Sequence, residues 1–177
     1  MNPPLCCKHA DIITTEGKVS FGHGCVVHPK AKIIIEGDCS IVFGEFNIIE
    51  ENVTIKATPK YNPVLNANET ITVYIGCYNH FKVGCYLENT SVENCNVFDY
   101  KCRLEDSYVE SKSIIRAGIS VPKRTTIKQN SLLLENHIIV TITVFNENEF
   151  MANIKELYKL LAVLLPKQNP MHNINSS

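Results

Sequence analysis

The sequence predicts an all-β solenoid, a chain wound into stacked coils of short strands, because two periodic signals coincide. Large aliphatic and aromatic residues, here called anchors, recur every six positions along most of the chain. Small residues often follow four positions after an anchor, where a coil would turn sharply. Because a period of six matches neither the turn of a helix nor a heptad, helix is excluded for most of the chain. The anchors are Phe21, Val27, Ile33, Phe43, Ile49, Ile55, Ile75, Phe81, Leu87, Val92, Phe98, Leu104, Val109, Ile115, Val121, Ile127 and Leu133.

The anchors also set the dimensions of the solenoid. Three six-residue faces close one triangular coil, and stacked coils bond through their backbones at a spacing of about 4.8 Å. The anchors fill about six or seven coils, which gives a prism on the order of 30 Å long. The spacing slips to five between Leu87 and Val92 and between Leu104 and Val109. The period alone does not set the handedness, but the pattern resembles the left-handed parallel β-helix of hexapeptide repeats.

The eight cysteines are predicted to be structural. The N-terminal residues contain no apolar stretch typical of a signal peptide, so we expect a cytosolic chain with reduced thiols. No Cys-x-x-Cys occurs, which argues against zinc-ribbon and thioredoxin-like sites. Cys25, Cys85 and Cys102 stand at the small position four residues after an anchor, and we expect them to be small buried hydrophobes.

The chain is predicted to divide into a solenoid, a helix and a tail. Residues 1–145 form the predicted left-handed β-helix, with a loop insertion at about 56–70 that is rich in proline and asparagine. Such an insertion either carries contacts or is a tolerated surface loop. Residues 146–166 are predicted to form an amphipathic helix, and residues 167–177 a flexible tail.

The C-terminal helix is predicted from its cap and its apolar stripe. Asn146 stands three residues before Glu149, which is the spacing of an N-terminal capping box, and Pro166 ends the predicted helix. We expect this helix to pack along one side of the prism, with a partner-binding helix as the alternative. The apolar stripe consists of Phe150, Ile154, Leu157, Leu161 and Leu164.

Composition excludes several classes of function. Apolar residues make up 45% of the chain and charged residues 20%, which is typical of a folded globular protein. A formal net charge of -1 gives no general attraction to nucleic acid or to an anionic membrane. The longest apolar run near the C-terminus is far too short to span a bilayer, so we expect no direct membrane insertion.

One segment is similar to the γ-class carbonic anhydrases. Tyr74-Ile75-Gly76 resembles the pattern that precedes the metal ligands of those enzymes, which bind zinc through three histidines. Matching coil to coil places Lys56, Val83 and Glu88 at the three histidine positions. A lysine ammonium and a valine cannot bind zinc as imidazole does, so the comparison implies that this site is lost.

The remaining histidines give weak enzyme candidates. His23 and His28 share the spacing of a zinc pair, but they lie in the first coils, where no upstream coil can supply a third ligand. Hexapeptide acyltransferases use a histidine in a cleft between subunits, and His80 is the one candidate for that role. No phosphate-binding glycine motif accompanies it. We therefore predict no catalytic residue, no metal ligand and no cofactor; a homotrimeric acyltransferase or γ-carbonic-anhydrase-like enzyme is the alternative.

Three segments together resemble the dynactin subunit 6 family. They are His-Pro-Lys-Ala-Lys-Ile at 28–33, Phe-Gly-Glu-Phe-Asn-Ile-Ile-Glu-Glu at 43–51, and Phe-Lys-Val-Gly-Cys-Tyr at 81–86. The order and spacing match as well, and the resemblance runs from about Gly22 to Leu133. It implies a left-handed β-helix without catalytic activity, in a structural and adaptor role in the pointed-end complex of dynactin.

The resemblance also implies partners and a location. The expected partners are dynactin subunit 5, which is a related β-helix, the actin-related protein, and the large zinc-bearing subunit of the pointed-end complex. Such a complex supports attachment of dynein–dynactin to cargo, in the cytoplasm and in association with the cytoskeleton. No nucleic acid is expected as a partner.

One charged segment is a candidate partner contact by its own composition. Between Lys112 and Leu134 the chain carries five basic residues and no acidic residue, while Glu45, Glu50 and Glu51 form an acidic stretch far away in sequence. Oppositely charged ends would order subunits in an assembly. The alternative is an ordinary solvated charged face. The basic residues are Lys112, Arg116, Lys123, Arg124 and Lys128.

Overall fold

Short parallel strands stack into three sheets that form the sides of a left-handed prism, which confirms the predicted fold class. The computed structural model describes residues 4–7, 9–135, 139–168 and 171–172. Sheet A contains β1 (Leu5–Cys7), β4 (Val26–Val27), β7 (Ile48–Ile49), β12 (His80–Phe81), β15 (Val97–Phe98), β18 (Ile114–Ile115), β20 (Ser131–Leu133), β21 (Ile139–Thr141) and β22 (Met171–His172).

The other two sides follow the same order of coils. Sheet B contains β2 (Asp11–Thr14), β5 (Lys32–Ile35), β8 (Thr54–Ala57), β13 (Tyr86–Glu88) and β16 (Arg103–Glu105). Sheet C contains β3 (Lys18–Phe21), β6 (Ser40–Phe43), β11 (Thr72–Ile75), β14 (Ser91–Val92), β17 (Tyr108–Val109) and β19 (Thr126–Ile127). The parallel strands of sheet A from β1 to β20 span about 29 Å at the usual strand spacing.

The anchors form the core of the prism. All of them except Phe21 are buried, and each stacks on the corresponding anchor of the next coil. Ile75, for example, lies opposite Phe43 on one side and Val92 on the other. The rings of Phe81 and Phe98 stack with centroids 4.8 Å apart. The six-residue period therefore marks the positions that face the interior.

The two five-residue joins correspond to tight corners. Asn89 and Asp106, which lie between β13 and β14 and between β16 and β17, have φ angles of 47° and 49°. Asparagine and aspartate tolerate this left-handed conformation better than other residues with a Cβ atom. The corner therefore turns with one residue fewer, and the period recovers in the next strand.

The corner between sheets C and A contains buried amide side chains that the periodic pattern did not predict. Asn47, Asn79 and Asn96 are fully buried, and each asparagine is hydrogen-bonded to the next. The backbone N–H of Asn79 donates to Asn47 Oδ1 at 3.1 Å, and that of Asn96 donates to Asn79 Oδ1 at 2.9 Å. At the corner between sheets B and C, the small residue expected four positions after Leu87 was wrong: Ser91 lies on the outer face of β14, and Thr90 is the buried residue at that corner.

The predicted loop insertion is a β-hairpin. β9 (Lys60–Asn62) and β10 (Ala67–Glu69) pair in antiparallel orientation and project from the end of β8. Lys60 Nζ lies 2.7 Å from Asp106 Oδ1, so an ion pair ties the hairpin to a later coil.

The C-terminal helix α1 extends over Glu147–Gln168, two residues beyond the predicted end at Pro166. Asn146 caps it as expected, because its Oδ1 accepts a hydrogen bond of 3.2 Å from the N–H of Glu149. No described helix is both long and apolar enough to cross a membrane.

The segments around the helix add strands to both ends of sheet A. β21 pairs antiparallel with β20, and β22 pairs antiparallel with β1. Of the tail predicted at 167–177, residues 167–168 belong to α1 and 171–172 form β22. The rest of that tail lies outside the described residues.

Candidate interaction surfaces

Helix α1 docks on the ridge where sheets C and A meet. Phe46 and Tyr78 occupy successive left-handed corners of this ridge, and their rings stack with centroids 5.3 Å apart. Lys155 Nζ lies 5.5 Å from both ring centroids, a cation–π geometry. The ring of Tyr158 meets Phe46 edge-on at 5.6 Å. These contacts fix the middle of the helix against the prism.

Contacts at its two ends set the direction of the helix. Glu147 Oε2 lies 2.8 Å from Lys112 Nζ, in a late coil of the solenoid. At the other end, Leu165 is buried against Cys7 and Val26 of the first coils. The helix therefore runs back along the side of the prism and covers the first strands of sheet A, as the predicted side-packing requires.

The positions matched to zinc histidines hold an ion pair. Lys56 and Glu88 lie opposite each other on β8 and β13. Lys56 Nζ lies 3.0 Å from Glu36 Oε1 and 4.0 Å from Glu88 Oε1. Val83, at the third position, donates its backbone N–H to Glu50 Oε2 at 3.0 Å. Within the described ranges, no three His, Cys, Asp or Glu side chains are grouped to hold a metal ion.

His80 forms a largely buried pair with Glu50. Its Nε2 lies 2.7 Å from Glu50 Oε1, and the imidazole side chain is 14% exposed. Burial acts to raise the pKa of Glu50, but the hydrogen bond and the charge of His80, with the N–H of Val83, lower it below its usual value. The geometry therefore assigns His80 to a contact between coils.

The two histidines with zinc-like spacing have unrelated surroundings. His28 is buried, and its Nδ1 lies 3.1 Å from Glu51 Oε1. The ring of His23 instead packs edge-on against Phe46 and Tyr158, at 5.3 and 6.1 Å. His23 thus belongs to the helix-docking ridge, and the two imidazoles do not share a site.

Cys25, Cys85 and Cys102 are buried free thiols, as expected. Cys25 Sγ lies 3.0 Å from the carbonyl oxygen of Gly44, and burial raises the pKa of Cys25 to about 11. The hydrogen bond with the thiol of Cys85, together with burial, also raises the pKa of Cys102, whereas the same hydrogen bond lowers the pKa of Cys85. Thiols with raised pKa values are poor nucleophiles and poor metal ligands at neutral pH.

The five basic residues encircle the last coils instead of forming one patch. Four of them have acidic partners: Lys112 with Glu147, Arg116 with Asp99, Lys123 with Glu105 and Lys128 with Glu110, at 2.6 to 3.3 Å. The fifth, Arg124, is exposed at a corner with a φ of 62°. Their role as partner contacts stays a prediction.

A ladder of alternating charge follows sheet A, which sequence reasoning missed. Lys82 Nζ lies 2.7 Å from Asp99 Oδ1, and Arg116 Nη1 lies 3.3 Å from Asp99 Oδ2. The sequence signal for this ladder is the position of its residues. Each residue stands one place after an anchor, and the sign of the charge alternates from one coil to the next. The ladder consists of Glu50, Lys82, Asp99 and Arg116.

Exposed apolar residues recur along the outer face of sheet C. Val42, Tyr74 and Tyr108 face outward and are 37%, 59% and 40% exposed. Helix α1 covers the first strands of sheet A. The outer face of sheet B carries the Lys56 and Lys123 ion pairs.

Together, the coils, the side-packed helix and the ladders of stacked residues define a left-handed β-helix of hexapeptide repeats. A solved structure of the same class is a hexapeptide transferase family protein from Anaplasma phagocytophilum, with a TM-score of 0.57. It is 16% identical, and the match covers 92% of this chain and 93% of that one. At this identity the likeness shows the fold alone.

Sequence relatives identify the family. Proteins named dynactin subunit 6 from Nematostella vectensis, Dictyostelium discoideum and Xenopus tropicalis are 36%, 34% and 31% identical over 136 to 138 residues. The matches cover 73 to 76% of this chain. They cover 69% of the first relative and slightly less than two thirds of the other two. The chain belongs to the dynactin subunit 6 family. No model of a known protein family matches it.

Proposed function

We propose that this chain is a non-catalytic structural and adaptor subunit of the dynactin pointed-end complex. The observation that carries the proposal is the sequence relation to proteins named dynactin subunit 6. Two features of the site support a role without catalysis. Lys56 and Glu88 form an ion pair at positions matched to zinc histidines, and His80 is engaged with Glu50.

The proposed partners follow from the same relation. The chain pairs with the related β-helix, dynactin subunit 5, and contacts the actin-related protein and the large zinc-bearing subunit. It acts in the cytoplasm, associated with the cytoskeleton, and supports attachment of dynein–dynactin to cargo. A stack of rigid coils suits this role, because each side of a solenoid is an extended docking surface.

Affinity purification of the tagged chain from its source cell, with mass-spectrometric identification of partners, tests the proposal. We expect a related β-helix chain and an actin-related protein to be recovered. Native mass measurement and metal analysis of the purified chain complete the test. A homotrimer with stoichiometric zinc, or recovery without any dynactin component, would contradict the proposed function.

A further inference from the structure

The two ends of the prism differ in how well the core is covered. At the C-terminal end, Val121 and Ile127 in the last coil are at most 7% exposed. At the N-terminal end, Ile12, Val19 and Phe21 belong to the same interior columns but are only half-buried. The core is therefore closed at one end and open at the other.

The outer edge of β2 has backbone groups directed away from the prism. The N–H groups of Asp11 and Thr15 donate to the next coil, to the carbonyl oxygens of Ala31 and Ile35, at 2.9 and 3.2 Å. Alternate residues of a parallel strand bond to opposite neighbours. The N–H and C=O of Ile12 and of Thr14, between them, therefore point toward the open end.

The outer edge of β3 repeats this arrangement. The N–H groups of Lys18 and Gly22 donate to Cys39 and Phe43 of the next coil, at 3.2 and 2.9 Å. The backbone groups of Val19 between them accordingly point out of the end. Over the ranges that the structure describes, β2 and β3 are the edge strands of sheets B and C at this end, as β16 and β19 are at the other end, whereas β22 covers β1 in sheet A.

We propose that this N-terminal end, formed by β2 and β3, is the surface that receives an end coil of a related β-solenoid subunit. The inference rests on the proposed function, because it names the surface used for pairing with the related subunit. Incoming strands would bond to the two free edges and cover the half-buried apolar residues between them. A helix cannot do so, since its own backbone groups are already paired.

The structure also limits how the partner approaches. The C-terminal end has a covered core, and β21 already occupies the last edge of sheet A there. Stacking of this chain head to tail on itself is therefore disfavoured, and the partner must bring an open end of its own. This geometry yields a closed pair and not a filament.

Thr14→Pro tests the proposal, because it removes a backbone N–H that does not bond to the next coil of the chain. Proline is compatible with an edge strand when its nitrogen faces outward. We expect the variant to keep its melting temperature and to lose roughly tenfold or more in affinity for the related subunit. Thr126→Pro is the matched control: its N–H points out of the opposite end, since Thr125 and Ile127 bond back to β17. It should pair normally.

Hydrogen exchange provides a second measurement that does not depend on a variant. The amides of Ile12, Thr14 and Val19 should exchange rapidly in the isolated chain and slowly in the complex. Slow exchange in the isolated chain, normal pairing of a folded Thr14→Pro variant, or a homodimer that this variant disrupts would each overturn the proposal. If the unmodified chain recovers no related subunit at all, the proposed function itself fails.

Discussion

Buried amide groups connect successive coils at the corner between sheets C and A. Asn79 shows how: its Oδ1 accepts from the N–H of Asn96, and its Nδ2 donates to the carbonyl oxygen of Glu93 at 2.8 Å. Such a ladder satisfies corner backbone groups that no strand partner reaches. Each asparagine therefore bonds its own coil to the next one.

Asn79→Ala should lower the free energy of unfolding by about 2 to 4 kcal/mol, because it leaves two backbone groups at this corner, one buried and one partly buried, without partners. Urea denaturation monitored by circular dichroism measures the loss. Asn68→Ala, at an exposed position in the hairpin, is the matched control and should change stability very little. Equal stability of the two variants would contradict the role assigned to the ladder.

The Glu50–His80 pair predicts a specific pH dependence. The pKa of folded Glu50 lies below its usual value of 4.5, so the folded state favours the carboxylate. This stabilisation is present above pH 4.5 and is lost as the pH falls through the lowered pKa. Glu50→Gln should therefore be less stable than the unmodified chain near neutral pH, and the difference should shrink in acid.

Thermal unfolding between about pH 3 and pH 7 measures this difference. Glu16→Gln, which changes an exposed carboxylate, is the control and should follow the unmodified chain throughout. A constant gap between Glu50→Gln and the unmodified chain across this range would contradict the assignment.

Residue type explains which interior positions the sequence could predict. Anchors such as Phe98 and Ile115 were predicted because large apolar residues repeat at a fixed spacing and are buried. Asn47 and Asn96 were not, since asparagine ordinarily indicates an exposed turn. Their burial depends on hydrogen bonds between coils, which become visible only when the register is known.

At the scale of elements, the sequence likewise predicted only part of how α1 docks. The capping residue and the helix itself followed from local spacing. The buried face did not follow fully: Leu164, in the predicted apolar stripe, is 40% exposed, while Leu165 is 5% exposed. Aromatic and charged contacts of Tyr158 and Lys155 with the ridge help to set the orientation of the helix. An apolar pattern alone does not predict those contacts.

Tyr158→Ala should loosen α1 without unfolding the solenoid. The variant loses edge-on contacts with Phe46 and His23, worth about 1 to 2 kcal/mol together with the lost apolar area. Hydrogen exchange should be faster in the amides of 147–168 and unchanged in the central strands. Lys159→Ala, at an exposed position of the same helix, is the control. Uniform destabilisation of the whole chain would contradict independent docking.

At the scale of the whole molecule, the six-residue period explains the three-sided prism. The strands on either side of α1 explain why the two ends of the prism differ. The six-residue spacing predicted the three-sided stack and its length because every coil repeats the same geometry. It could not predict that β21 and β22 return to pair with the two ends of sheet A. Those pairings join residues far apart in sequence, and no local signal marks them.

The charge distribution over the last coils gives the final prediction. Lys123 is 65% exposed although its Nζ lies 2.6 Å from Glu105 Oε2, and Arg124 projects from the adjacent corner. Because exposed ion pairs are weak, both cations remain available to an acidic partner surface. Reversing both to glutamate should weaken recovery of partner subunits roughly tenfold while preserving the melting temperature.

Lys159→Glu is the matched control for that reversal, because Lys159 is an exposed cation with one acidic partner, Glu156. If electrostatic complementarity at the last coils guides assembly, the affinity of the double variant for its partners should also fall less steeply as the salt concentration rises. Fewer attractions between charges then remain for salt to screen. The control should keep both the affinity and the salt dependence of the unmodified chain. Unchanged partner recovery by a folded double variant would show that these residues form an ordinary solvated face.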